Sequence, residues 1–212
     1  MPINRSPNAR LNLSILDRVK NGKLVPVISG EAITDMVLGG HQKLIEGYAN
    51  YIQYPLSDCS NLPKISKFKC ITDGSDDYSL KVEYLYYIKT YIYTLAEQAS
   101  RHPDLIADAE AEIYSLTTSA FANRLGYPQF DRNEEDPLLV LANLPLPVYI
   151  TTSYHSFLED ALYKAGKNPH SEICRWNTAL DNLPSILNEQ HYEPTKEEPL
   201  VYHLHGLDTQ VD

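Results

Sequence analysis

The sequence lacks the motifs that mark several common classes of protein. It has three widely spaced cysteines and no CxxC pair, so neither a zinc ribbon nor a disulfide framework is indicated. It has no GxxxxGKS/T motif and no GxSxG motif, which excludes a P-loop nucleoside triphosphatase and a hydrolase with a nucleophile elbow. It also lacks an HxxxH spacing and any cluster of cysteine and histidine, so we expect no metal.

Basic runs and long apolar runs are missing as well. The formal net charge is -10 and no lysine- or arginine-rich stretch appears, which argues against direct nucleic-acid binding. No run approaches the roughly 18 apolar residues of a membrane span, and the first residues do not resemble a signal peptide. We therefore expect a cytoplasmic protein that does not contact a membrane.

Four short apolar runs predict buried strands, and helical patterns alternate with them. The runs are Leu24–Ile28, Val148–Ile150, Glu172–Cys174 and Leu200–Leu204. This alternation predicts an α/β fold, with a Rossmann-like parallel sheet and helices on both faces. Four strands are few for this architecture. We expect the sheet to be incomplete at the C-terminal end, because the chain is a fragment of a longer polypeptide or because a partner covers that edge.

A helical insertion divides the predicted Rossmann-like parts, which cover residues 10–40 and 137–212. Within the insertion, residues 41–136, a long helix is predicted over 80–99, and its tyrosines face several directions. Another helix begins at Pro103 and continues to Gly126, whereas residues 54–77 resemble a loop. After the insertion, a weaker helix is predicted over 180–188. The 16 tyrosines, against 4 phenylalanines, favour half-buried rings with a hydroxyl in water or on a partner.

The clearest single stretch is a strand, a polar turn and a helix in succession. Val148–Ile150 is the strand, residues 151–155 are the turn, and a helix follows over 156–165. Ser156 and Glu159 have the spacing of a capping box, in which each side chain bonds a backbone N–H of the first turn. Ligands of α/β proteins bind where a strand ends and a helix begins, since free N–H groups attract anions there.

Three turns are predicted at strand carboxyl ends, which meet at one edge of a parallel sheet. They are Ser29-Gly30-Glu31, residues 151–155, and His205-Gly206. Together they can line one pocket, in which a histidine can serve as a general base near neutral pH. The alternatives are ordinary turns, a solvent-exposed His155, and a His203 that packs inward with the parity of Val201.

The order of these motifs resembles that of the SIR2-like family, whose Rossmann-type domain binds NAD. The matching segments are VPVISGEA at 25–32, YITTSYHSFLEDAL at 149–162 and VYHLHG at 201–206. The ICRWN segment at 173–177 and the final strand are similar to bacterial SIR2-like effector proteins rather than to zinc-containing deacetylases. The missing CxxC pair agrees with that branch.

The resemblance implies a set of site residues. His205 takes the position of the base, while Ser153 and His155 stand where the family has asparagine and aspartate. The implied cofactor-binding residues are Ser29, Gly30, Glu31, Ala32, Thr151, Thr152 and Gly206. The implied activity is hydrolysis of NAD to ADP-ribose and nicotinamide by a module of a bacterial antiphage defence or signalling protein, with no metal.

Three departures from the family pattern support a second interpretation. Glu31 brings a negative side chain near a diphosphate, Ser153 has one hydroxyl in place of an amide, and His155 replaces a carboxylate. A degenerate SIR2-like fold could bind NAD or ADP-ribose without turnover, or serve protein interaction and oligomerisation. Under either interpretation, we expect further domains of a longer chain or a homo-oligomer as partners.

Overall fold

The computed structural model describes residues 7–99, 103–130 and 135–209, and it has an α/β fold with a four-stranded parallel sheet flanked by helices. The predicted fold class is confirmed. In spatial order the strands are β1-β2-β4-β3, and every neighbouring pair is parallel. The strands are β1 (Val27–Ile28), β2 (Val148–Thr151), β3 (His170–Ile173) and β4 (Leu200–His203).

Nine α-helices occur in the described part of the chain. They are α1 (Pro7–Lys20), α2 (Gly30–Leu38), α3 (His41–Tyr51), α4 (Leu62–Asp73), α5 (Asp77–Gln98), α6 (Pro103–Glu112), α7 (Thr118–Arg124), α8 (Pro137–Ala142) and α9 (Phe157–Lys164). Two short 3-10 helices, Thr178–Leu180 and Ile186–Asn188, follow β3.

The chain divides into two compact units, which we call the sheet unit and the helical unit. The sheet unit contains Met1–Ser29, Phe130–Ser153 and Leu158–Gly206, and it includes all four strands. The helical unit contains Gly30–Gln129, Tyr154–Phe157 and Leu207–Asp212.

In the sheet unit, apolar side chains of the central strands form the core. Tyr149 of β2 and Val201 of β4 are fully buried, as are Leu158 and Leu162 of α9. β2 and β4 pair along their whole length, from Val148 opposite Leu200 to Thr151 opposite His203. Continuous apolar strands of this kind are typical of parallel sheets, whose two faces are both covered.

In the helical unit, α5 is the central element. It contacts α3, α4, α6 and α7, which confirms that this tyrosine-rich helix packs on more than one side. Its fully buried residues include Ile88 and Ile92, and Tyr48 of α3 is also fully buried. The ring of Tyr48 lies 4.8 Å from that of Tyr84 and 5.2 Å from that of Tyr87, measured between centroids.

Two elements near the start of the chain differ from prediction. The strand expected over 24–28 is reduced to Val27–Ile28, since Pro26 has no N–H to donate to a neighbouring strand. The predicted turn Ser29-Gly30-Glu31 is wrong from Gly30 onward, because α2 begins there. The Thr34 hydroxyl donates to the Gly30 carbonyl at 2.9 Å, and Glu31 in the first turn suits the positive end of the helix dipole.

Three further expectations were wrong. Residues 54–77 contain α4, which Asn61 caps through the Lys64 N–H at 3.1 Å and Gly74 ends at φ +65°. The helix expected from Pro103 to Gly126 is two helices, since Thr117 caps a new one through the Ala120 N–H. The helix expected over 180–188 is two 3-10 helices, each capped by its preceding Asn177 or Ser185.

Candidate functional site

Three strands that precede predicted motifs lie side by side in the sheet unit. β1, β2 and β4 are consecutive in the sheet, and β3 occupies the edge next to β4. Hydrogen bonds continue beyond the strand ends: the Thr152 N–H donates to the Ile28 carbonyl at 3.1 Å, and the Leu204 N–H donates to the Thr151 carbonyl at 2.8 Å. The turns after β2 and β4 are therefore neighbours.

The two threonines and the serine at the end of β2 contact the neighbouring strands as well as their own turn. Thr151 is fully buried, and its hydroxyl donates to the Ile28 carbonyl at 3.0 Å while accepting the Ser153 N–H at 3.0 Å. Thr152 is half-buried. Ser153 is 2% exposed, and its carbonyl accepts from the ring of His203. The polar atoms of Thr151 thus shape the turn.

The turn after β4 presents the predicted base to solvent. His205 is exposed, and Gly206 follows at φ +81°, in the left-handed region that favours glycine. The Trp176 indole N–H donates to the Leu204 carbonyl, directly before His205. Trp176 is 68% exposed, so an anchored aromatic ring lies at the same carboxyl edge. No role was predicted for Trp176 from the sequence, although it lies in the 173–177 segment that carries part of the family resemblance.

The residues predicted to bind a diphosphate fall at the β1–α2 connection. Ser29 is exposed at the end of the sheet unit's β1. Gly30, Glu31 and Ala32 form the first turn of α2 in the helical unit. The Glu31 side chain is 73% exposed, and its carboxylate lies 3.8 Å from the His41 ring. Its negative charge is therefore well hydrated.

His155 is buried in the helical unit. It is 4% exposed, and its Nδ1 lies 3.1 Å from Oδ2 of Asp208. The same carboxylate oxygen accepts the Thr118 N–H at 3.1 Å, and the Asp208 N–H donates to the Tyr154 carbonyl at 2.8 Å. The solvent-exposed alternative for His155 is therefore wrong. Asp208 was missed, because no local pattern connects it to a histidine 53 residues earlier.

A second buried histidine lies in the sheet unit. His203 is fully buried, as its parity with Val201 predicted, and its Nδ1 lies 2.7 Å from the Ser153 carbonyl. Its Nε2 lies 2.7 Å from Oε1 of Glu159, which also accepts from the Ser171 hydroxyl at 2.6 Å. The predicted capping box is wrong, since Oε1 is engaged in this way and Oε2 has no partner among the described residues.

At the carboxyl end of β3, Glu172 is buried in an ion pair. Its Oε1 accepts from Arg175 at 2.7 Å and from the Ile173 N–H at 2.9 Å, and its Oε2 accepts from the Ser185 hydroxyl at 2.5 Å. Burial raises the pKa of this carboxyl, but these hydrogen bonds and the Arg175 charge outweigh burial, so the net pKa is lowered. Glu172 therefore fixes the segment that leads to Trp176.

No group of three or more His, Cys, Asp and Glu side chains in the described ranges is arranged to hold a metal ion. Over those same ranges, no helix has the length and apolar character needed to cross a membrane. Comparison of the chain with family models, curated proteins and solved structures finds no match.

Proposed function

We propose that the chain is an NAD-binding domain of the SIR2-like kind, which hydrolyses NAD to ADP-ribose and nicotinamide. It would act in the bacterial cytoplasm as a module of a larger defence or signalling protein. One observation supports this proposal above others: the three strands that precede the SIR2-like motifs, β1, β2 and β4, are contiguous in a parallel sheet. Dinucleotides bind at the carboxyl edge of such sheets.

The chemistry assigned to this edge needs one base. Water attacks the ribose carbon that carries nicotinamide, the carbon–nitrogen bond breaks, and nicotinamide leaves as a neutral molecule. The attacking water loses one proton, which His205 accepts. His205 suits this role because an imidazole nitrogen can accept a proton, and the residue is exposed at the end of β4.

Binding without turnover is the second candidate function, and two burial observations favour it. Ser153 is 2% exposed and His155 is 4% exposed with its Nδ1 on Asp208. Neither side chain is available to position a water molecule in this conformation. A domain of this kind would bind NAD or ADP-ribose as a signal, or serve oligomerisation.

Incubation of the purified chain with NAD tests the first candidate, with nicotinamide release followed by chromatography. We expect release from the wild type and its loss in His205→Ala. His191→Ala is the matched control, because His191 is also exposed and should leave release unchanged. Nicotinamide release that persists in His205→Ala would contradict the assignment of His205 as the base.

Calorimetry with NAD and with ADP-ribose separates the remaining outcomes. Saturable binding without nicotinamide release would support the second candidate. If neither ligand binds, and no release occurs, both nucleotide proposals fail.

A further inference from the structure

The helical unit contains a cavity that the proposed NAD chemistry does not use. Its volume is about 670 Å³, within the range of about 300–1,000 Å³ typical of small-molecule sites. We call it the α5 cavity. Its lining includes Val82, Glu83, Tyr86, Lys89, Tyr114 and Asp208.

Aromatic and aliphatic side chains form the wall of the α5 cavity. The rings of Tyr86 and Tyr114 are nearly parallel, with an interplanar angle of 11° and centroids 5.2 Å apart. Their hydroxyls lie 3.3 Å apart. Tyr114 is 82% exposed and Val82 is 40% exposed. Flat aromatic molecules stack favourably on ring faces of this kind.

The polar group in the cavity with the clearest geometry is the ammonium of Lys89. Lys89 is 9% exposed, and its Nζ donates to the carbonyls of Ile113 at 2.8 Å and Leu116 at 2.5 Å. An ammonium has three N–H bonds, so two of them hold the segment before α7. The third can donate to an acceptor in the cavity that Lys89 lines.

The charges around the cavity determine which acceptor fits. Asp208 and Glu83 line it together with Lys89. Glu83 is paired with Lys69 at 3.2 Å, so a ligand carboxylate would meet the carboxylate of Asp208 together with the ammonium of Lys89, and like charges at short range repel. A neutral carbonyl oxygen accepts from an ammonium without this repulsion. The favourable ligand is therefore uncharged at the end that reaches Lys89.

We propose that the α5 cavity binds a neutral, flat aromatic molecule that stacks on the tyrosine wall and accepts a hydrogen bond from Lys89 through a carbonyl oxygen. Aromatic carboxamides are the simplest members of this class. The proposal is independent of NAD hydrolysis, since every residue that carries it belongs to the helical unit.

Three probes test the proposal by two-dimensional NMR of the 15N-labelled chain. Benzamide has the ring and the neutral carbonyl, benzoate adds a negative charge, and cyclohexanecarboxamide lacks the aromatic face. We expect saturable shifts with benzamide at the amides of Leu116 and Thr118. Cyclohexanecarboxamide should bind about fivefold to tenfold more weakly, because it loses the stacking contact. Benzoate should also bind about fivefold to tenfold more weakly, because its negative charge meets the carboxylate of Asp208.

Two variants assign the contacts. Tyr114→Ala should weaken benzamide binding about fivefold, and Tyr163→Ala should leave it unchanged, because Tyr163 is an exposed tyrosine of α9 that does not line the cavity. Lys89→Met should weaken benzamide binding about tenfold or more, because it removes a hydrogen bond from a charged donor. If this variant does not fold, the comparison of Tyr114→Ala with Tyr163→Ala tests the proposal. Benzoate binding more tightly than benzamide, no saturable shift at these amides, or equal binding by the two tyrosine variants would overturn the proposal.

Discussion

The sheet unit and the helical unit each bury a histidine against a carboxylate, but the surroundings of the two pairs differ. In the sheet unit, both ring nitrogens of His203 face acceptors at 2.7 Å, the Ser153 carbonyl and Glu159. In the helical unit, Nδ1 of His155 lies 3.1 Å from Asp208, whose carboxylate also accepts the Thr118 N–H. The hydrogen bonds of the two histidine–carboxylate pairs therefore need different numbers of protons.

The donors and acceptors around each histidine show how the two pairs differ. A carbonyl oxygen can only accept, so Nδ1 of His203 must carry a proton. The contact between Nε2 and Glu159 needs another, carried by the ring or by the carboxyl group. In the helical unit, Oδ2 of Asp208 faces Nδ1 of His155 and accepts the Thr118 N–H, so the contact with the ring needs a single proton. The stability contributed by the His203–Glu159 pair should therefore be more sensitive to the loss of one partner than that of the His155–Asp208 pair.

Replacing His203 should produce the largest loss of stability. His203→Leu leaves the buried Glu159 with only the Ser171 hydroxyl as a partner among the described residues, and removing one partner of a buried pair in this way costs about 3–5 kcal/mol. Urea unfolding measures the free energy of unfolding. His205→Ala is the control, since an exposed residue should change that free energy by no more than about 0.5 kcal/mol. Similar values for the two variants would contradict the shared-proton interpretation.

Replacing Asp208 should cost less. Asp208→Ala removes the acceptor from the Thr118 N–H and from His155, and leaving buried donors unsatisfied costs about 1–3 kcal/mol. The same urea experiment compares it with His203→Leu. A loss larger than that of His203→Leu would reverse the ranking of the two pairs.

The loss of stability at acid pH should depend in part on Glu172 of the sheet unit. Because hydrogen bonds and Arg175 lower its pKa below the ordinary 4.5, Glu172 contributes stability above about pH 4.5, and this contribution is lost as the pH falls through the lower folded value. Glu172→Gln should therefore flatten the loss of stability between about pH 4.5 and the acid limit. Unfolding followed by circular dichroism over this range provides the measurement, and unchanged slopes would exclude the effect.

The smallest expected effect concerns a tyrosine of the helical unit at alkaline pH. Burial, reinforced by the negative charge of Glu83, raises the pKa of Tyr48 from 10.0 to about 12. The neutral hydroxyl is favoured in the folded state, so this stability is present below pH 10 and is lost as the pH rises through about 12. Tyr48→Phe should reduce that alkaline loss, and Tyr163→Phe, at an exposed position, should not. Thermal unfolding between pH 9 and 11 compares them.

Local patterns predicted the parallel sheet and the long central helix, because strand ends and helix periodicity depend on residues that are close together in the sequence. The missed α4 also had local signals, Asn61 as a cap and Gly74 as a stop. Pro63 lies within the 54–77 stretch that was interpreted as a loop, but proline also suits a first helical turn. The partners of the buried histidines had no such signal. Glu159 and His203 are 44 residues apart, and only the tertiary fold brings them together.

Trp176 has a practical consequence for spectroscopy. It is the chain's single tryptophan, and its indole is anchored to Leu204 while 68% of the residue is exposed. Fluorescence excited at the red edge of protein absorption therefore comes from one place, the carboxyl edge of β4. A ligand that binds beside His205 would change the wavelength or intensity of that emission. A ligand that binds elsewhere without moving this edge would leave the emission unchanged.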